Sequence, residues 1–166
     1  MSDIAAWKTV SLGTYKTASE YREALEKAGV EISEPAREIL ESADFIISPE
    51  PREVELALVG LYDLFTEGEL VIGNVDILAR AKEKGLIPCP PEAAFALRLA
   101  YADQPDEEQL CVITEKVKSP ITISTSDPYN IFTVESMNGT LRLYAQTLNG
   151  YNRAAVHDPL YVFKKA

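Results

Sequence analysis

Apolar and polar residues recur with two different periods along this chain, and the change falls near residue 108. Before it the spacing is mainly helical. Tyr21, Ala24, Leu25 and Ala28 follow one another at three- and four-residue steps, and Gly29 stands where that helix should stop. Thr17-Ala-Ser-Glu20 has the spacing of a capping box, in which Thr17 accepts from the amide of Glu20 and Glu20 accepts from the amide of Thr17. Arg22, Glu23, Glu26 and Lys27 then form a solvated outer face. A second helix is predicted from Ser33 as N-cap, with Pro35 in the first turn and Ala36, Ile39, Leu40 and Ala43 as its buried stripe. Val30-Glu-Ile32 is short enough to join the two as a helical hairpin. Asn74 can cap a third helix, with Val75, Leu78 and Ala79 inside, Lys82 and Lys84 near its negative end, and Gly85 closing it. Pro91 opens a fourth, in which Phe95, Leu97 and Leu99 leave almost no polar face. Such a helix is a buried one.

Period two marks the strands. Trp7 to Gly13 reads as a short strand or an extended arm, and Trp7 as a lid on the core. Phe45-Ile-Ile47 is β-prone but is ended by Pro49 and Pro51. Val54 to Val59 suits a strand in the interior of a sheet, with a helix through Leu64 as the competing assignment. After Pro105-Asp-Glu-Glu108 the alternation predicts strands at 110–113, 121–123, 131–134, 141–145 and 160–163. Asn138-Gly139 signals a type I′ hairpin turn, and Asn149-Gly150 a second turn. The expectation is a single α+β domain over residues 1–166. In it a mainly helical, acidic portion (1–108) packs on a C-terminal antiparallel β-meander (109–166).

Composition supports a globular chain: 46% hydrophobic and 25% charged residues in 166 are enough to bury a core without disulfide or metal. The net charge of −10 is unevenly spread. Residues 1–108 carry 22 acids and 10 bases, net −12, and residues 109–166 carry 4 acids and 6 bases, net +2. Such a surface repels phosphates, so no nucleic-acid partner is expected; it permits a basic protein partner, or simply keeps the protein soluble. Met1 to Lys16 lacks the pattern of a signal peptide, and no apolar run approaches the ~18 residues of a membrane span. A cytoplasmic protein with no membrane partner is expected.

Candidate chemistry concentrates between Gly85 and Pro105. Cys89, flanked by Pro88 and Pro90 ahead of a helix start, is a candidate nucleophile because a helix N-terminus lowers a thiol's pKa. The plainer reading is a small hydrophobe filling a turn. Glu92, in the first turn of that helix, is a second catalytic candidate and is favoured there by the helix dipole alone. His157, the one histidine, precedes Asp158 and could complete a cysteine–histidine dyad, though a surface loop residue is the plainer reading. Arg98, Asp103, Gln104 and Trp7 are the binding candidates. An arginine on a buried helix needs partners, and Arg98 with Asp103 reads either as an anion clamp or as a structural ion pair. Cys111 lies in an apolar strand and reads as core. The tyrosines at 129, 144, 151 and 161 read as cross-strand packing. Metal-ligand spacing, a glycine-rich phosphate loop, GxSxG, HExxH and a dinucleotide fingerprint are all lacking, so no metal or cofactor is implied.

Three stretches carry a resemblance: Trp7-Lys-Thr-Val-x-Leu-Gly; Lys16-Thr-Ala-x-Glu-Tyr-Arg-x-Ala-Leu-x-x-Ala-Gly29; and Leu86-x-x-Cys-Pro-x-Glu92 with Leu97-Arg-Leu-x-Tyr-x-Asp-Gln-Pro105. In these the chain resembles a group of small bacterial proteins, over roughly residues 7–115. The resemblance implies a bacterial origin and a shared design, and brings no activity with it, since none is established for the group. Ala93-Ala-Phe-Ala96 departs from the group, which has a glycine and a proline there; a pocket shaped by that turn would not be kept.

Taken together, the sequence favours a non-catalytic binding or interaction module with an acidic surface. The alternative is a small hydrolase or transferase with a pocket around Cys89, Glu92 and Arg98. An enzyme should show a cleft lined by those side chains with a perturbed pKa, and a module an exposed acidic or apolar patch. A third reading, mimicry of nucleic-acid charge, needs carboxylates ranged along one face.

Overall fold

The computed structural model describes residues 4–69, 74–117, 129–146 and 160–166. The chain opens with β1 (Lys8–Leu12) and turns at Gly13 into α1 (Ala18–Lys27). β2 (Glu31–Ile32), α2 (Glu34–Glu41), β3 (Arg52–Val59), α3 (Leu61–Leu64) and α4 (Asn74–Glu83) follow. β4 (Leu86–Ile87) leads into α5 (Glu92–Ala100), and β5 (Gln109–Glu115), β6 (Tyr129–Met137), β7 (Thr140–Ala145) and β8 (Leu160–Lys165) complete the described chain.

Local signals explain most of these boundaries. The Thr17 hydroxyl accepts from the Glu20 amide at 3.1 Å and starts α1, but the Glu20 carboxylate takes the amide of Lys16, one residue ahead of the cap. Ser33 caps α2 through the Ala36 amide at 3.2 Å. Asn138 (φ 54°) and Gly139 (φ 77°) make the left-handed pair of a type I′ turn between β6 and β7, and Asp106 holds it by accepting from the Gly139 amide. Among the described side chains of α4, Ile77 and Ala81 are buried; Ala79, expected inside, is exposed.

The eight strands form one curled mixed sheet, a half-barrel in the order β1-β3-β8-β5-β6-β7-β2, with β4 beside β8. This overturns the expectation of a helical N-terminal portion packed on a C-terminal antiparallel meander. One reason is that β1 and β3, from the supposedly helical portion, build one side of the sheet, β1 antiparallel to β3 and β3 antiparallel to β8. A second is that among the described residues only β5, β6 and β7 form a meander. β8 does not continue it but lies parallel to β5, Leu160–Val162 against Leu110–Val112. The expected hairpin connector at Glu31-Ile32 is β2, added parallel to β7. Phe45 to Ile47 forms no strand; the Phe45 ring instead meets Phe95 edge-on at 5.3 Å. The strand expected at 121–123 and the turn at Asn149-Gly150 lie outside the described residues.

Both faces of the sheet are apolar, which is why its strands carry long apolar runs. Val10, Val54, Leu56, Leu110, Val112, Phe132, Val134, Leu143 and Val162 face one core, which α1, α2 and α5 close. Ala57, Val59, Ile113, Ile131, Tyr161 and Phe163 face the other, with Leu64, Ile77 and Ala81 from α3 and α4. α5 is buried from Glu92 to Arg98 and runs against β1. Its Phe95 stacks in edge or tilted contact with Tyr21, Phe45 and Phe132, joining α1, the 45–50 segment and β6 through one ring.

Ahead of α5 the sheet forks. β8 pairs with β5 through Leu160–Val162 and with β4 through Lys164 and Lys165. Two residues past β4, Cys89 bridges β5: its amide donates to the Ile113 carbonyl and its carbonyl accepts from the Glu115 amide, both at 2.8 Å. The segment from Leu86 to Cys89 therefore wedges in where β5 and β8 part, and delivers the chain into α5.

Candidate functional site

Glu92 begins α5 and is 1% exposed. Its Oε1 accepts from the Gly13 amide at 2.6 Å and from the Tyr21 hydroxyl at 2.5 Å, and its Oε2 accepts from the Ser48 amide at 2.8 Å. One carboxylate thus ties the end of β1, α1 and the 45–50 segment to the start of α5. Burial pushes the Tyr21 phenol well above its ordinary value, and the hydrogen bond to Glu92 and its negative charge push the same way. Tyr21 accordingly stays a donor.

Beside this knot lies a groove of about 750 Å³. Pro49, Pro51, Pro90 and Pro91 wall it, Glu92 lines its interior, and Ile46, 74% exposed, stands on it. Charges of both signs flank it, Arg52 and Lys164 against Glu50 and Glu115.

Cys89 does not open onto the groove. Its side chain is fully buried, with Sγ 4.0 Å from the Val162 carbonyl. Burial raises the thiol far above its ordinary value; the Lys164 charge lowers it and the Glu115 charge raises it, both by less. This is opposite in direction to what a helix N-terminus alone would give. Cys111, read from the sequence as core, is half-buried and packs at the margin of the second core.

Arg98 occupies the last turn of α5, about 9 Å along the helix from Glu92. It is fully buried, and its partners are neutral acceptors: Gln104 Oε1 at 2.6 Å and the carbonyls of Tyr101, Glu135 and Arg142 at 2.5, 2.9 and 3.3 Å. It caps its own helix and binds that helix to β6 and β7. Asp103, the partner expected from the sequence, is exposed, and Gln104 takes its place. The Gln104 amide donates onward to the Val134 carbonyl at 3.0 Å and to Glu108. Burial lowers the guanidinium to about 10, opposed by the neighbouring Tyr101 and Glu108, so it is charged at neutral pH.

Trp7 is half-buried and meets Tyr101 edge-on at 5.4 Å, and the Lys8 ammonium sits over both rings at 5.3 and 4.6 Å. His157 lies outside the described residues. The structure therefore brings Arg98 to Gln104 and Glu92 to the groove, but it does not gather Cys89, Glu92 and Arg98 around one cavity. Among the described residues, no three histidine, cysteine or acidic side chains are placed to share a metal ion.

One feature escaped the sequence reading. Among the described residues β1 forms a margin of the sheet, and against it lies a second recess of about 290 Å³, lined by apolar Val10, Ala96 and Leu99 and by polar Thr9, Ser11 and Thr14. The alternation Lys8-Thr-Val-Ser-Leu12 gave the strand, but its place at the margin follows from strand order, which pairing partners 40 and more residues away decide.

No protein-family model, curated protein or solved structure matches the chain. Among the described residues no helix is long and apolar enough to cross a membrane.

Proposed function

We propose that the protein is a non-catalytic interaction module that presents an acidic surface to a basic protein partner. The observation that carries this reading is the commitment of the reactive side chains to internal bonds. Both oxygens of Glu92 are occupied by donors from its own fold, the Cys89 thiol is buried and held protonated, and both terminal nitrogens of Arg98 are spent on main-chain carbonyls and Gln104. A general acid or base needs a proton-transfer path to a substrate, and a nucleophile needs exposure; the hydrolase or transferase reading lacks both at these three residues. Exposed acids are plentiful by contrast: Glu20, Glu23 and Glu26 on α1, Glu34 and Glu41 on α2, Glu53 and Glu55 on β3. Such a field speeds encounter with a cationic partner more than it tightens the final complex.

Alkylation of Cys89 by iodoacetamide in a Cys111→Ala background separates the two readings. The module reading expects labelling only after unfolding. Rapid labelling of the folded protein, with a midpoint well below ~8.5, would establish an exposed thiolate and return the enzyme reading.

A further inference from the structure

The margin of the sheet at β1 is built to receive one more strand. We infer that β1 binds an extended segment of a partner protein in which basic and apolar residues alternate. The inference rests on the module reading above and specifies where the partner docks and what it looks like.

The two margins of the sheet differ. β2 is two residues long and offers almost nothing to pair with, whereas β1 has five residues and pairs with β3 on one side only among the described residues. Sheet margins are ordinarily guarded by proline, by a bulge or by a lysine projecting into the approach. β1 contains no proline, and its lysine is turned aside, with the Lys8 ammonium lying over the Trp7 and Tyr101 rings. The rest of the strand, Thr9-Val10-Ser11-Leu12, is uncharged.

An added strand would lie about 4.8 Å from β1 and send alternate side chains to opposite faces. Those on the helix side meet the 290 Å³ recess, where the half-buried Tyr15 supplies ring surface and Ala96 and Ala100 leave depth. It has room for roughly one or two aliphatic side chains. Those on the other face pass over Thr9 and Ser11, which are small and exposed and also border the recess. Directly beyond them on β3 stand their cross-strand partners, Glu55 and Glu53, also exposed. A lysine or arginine reaching inward and a glutamate reaching outward can together bridge two strand spacings, about 10 Å. Main-chain pairing, one recess of side-chain size and a pair of carboxylates together select the alternating pattern over a merely cationic one.

The test uses the full chain and two fluorescent peptides of identical composition, one alternating lysine and valine and one with the same residues in blocks. Anisotropy titration should show the alternating peptide binding at least about tenfold more tightly than the blocked one. N-methylation of its alternate amides should abolish that advantage, because only main-chain pairing needs those protons. Thr9→Lys and Ser11→Lys, at exposed positions that leave the core untouched, should each weaken the alternating peptide about tenfold without shifting Tm. Equal affinity for the two peptides, no binding of either, or indifference to Ser11→Lys would overturn the inference. So would sedimentation showing a dimer that Ser11→Lys dissolves, since a second copy would then own the margin. None of these results bears on Cys89 reactivity, so the module reading can survive the loss of this inference.

Discussion

Gly13 carries three requirements at once. Its φ of +75° is left-handed, its amide reaches the Glu92 carboxylate, and a Cβ there would stand 2.6 Å from the Glu50 carbonyl and 2.9 Å from that of Ser48. Gly13→Ala should therefore cost about 2–3 kcal/mol in urea denaturation, more than backbone strain alone, because the 48–50 segment has to move off the turn. A midpoint unchanged from the parent would mean that this segment yields freely. At this scale the sequence shows a residue's place on its element but not its partners. Glu92 was legible as a first-turn carboxylate; its partners, 44 to 79 residues earlier in the chain, were not. For Cys89 the helix-terminus argument pointed downward, whereas desolvation is the larger effect and points upward. The plainer reading of Cys89, a small hydrophobe filling a turn, is the one its burial supports.

Among the elements, α5 has the most at stake. Arg98 satisfies its C-terminal turn and two strands at once, so Arg98→Ala leaves the Glu135 and Arg142 carbonyls and Gln104 short of a donor and opens a cavity beneath the helix. A loss of about 3–5 kcal/mol by thermal or urea unfolding is expected. A change under about 1 kcal/mol would show that water takes over the role of the guanidinium. The helices α1, α2, α4 and α5 and the strands β1, β3, β5, β6, β7 and β8 were legible because each carries its own period or cap. β2 and β4 were not, since two residues hold no period. Strand direction was the other gap. An antiparallel hairpin declares itself in Asn138-Gly139, but the parallel pairing of β8 with β5 has no local signature, so the meander was carried one strand too far.

For the molecule as a whole, the buried protonated groups set an alkaline limit. Cys89 and Tyr21 keep their protons past the ordinary values of 9.0 and 10.0, and Tyr101 is pushed up to about 12, chiefly by burial. As pH rises through those ordinary values the unfolded chain releases protons that the folded chain retains, so stability is full below about pH 9 and declines above it. Arg98, lowered to about 10, works in the opposite sense but is one group against three. Tm measured from pH 7 to about 11 should fall steadily above about pH 9, and Cys89→Ala combined with Tyr21→Phe should flatten that slope. A Tm level across the range would refute the burial argument.

The position of β8 between β3 and β5 also fixes when the protein can fold. Synthesis runs from the N-terminus, and the strand that joins β1-β3 to β5-β6-β7-β2 is the last of the eight to leave the ribosome. Until Leu160 to Lys165 emerge, the nascent chain holds two separate sheet fragments, with β3 and β5 each lacking the neighbour that will lie between them. The helices can form as they are made, but the sheet is assembled only after translation has passed its final strand, and a chaperone that shields β3 and β5 would act in that interval.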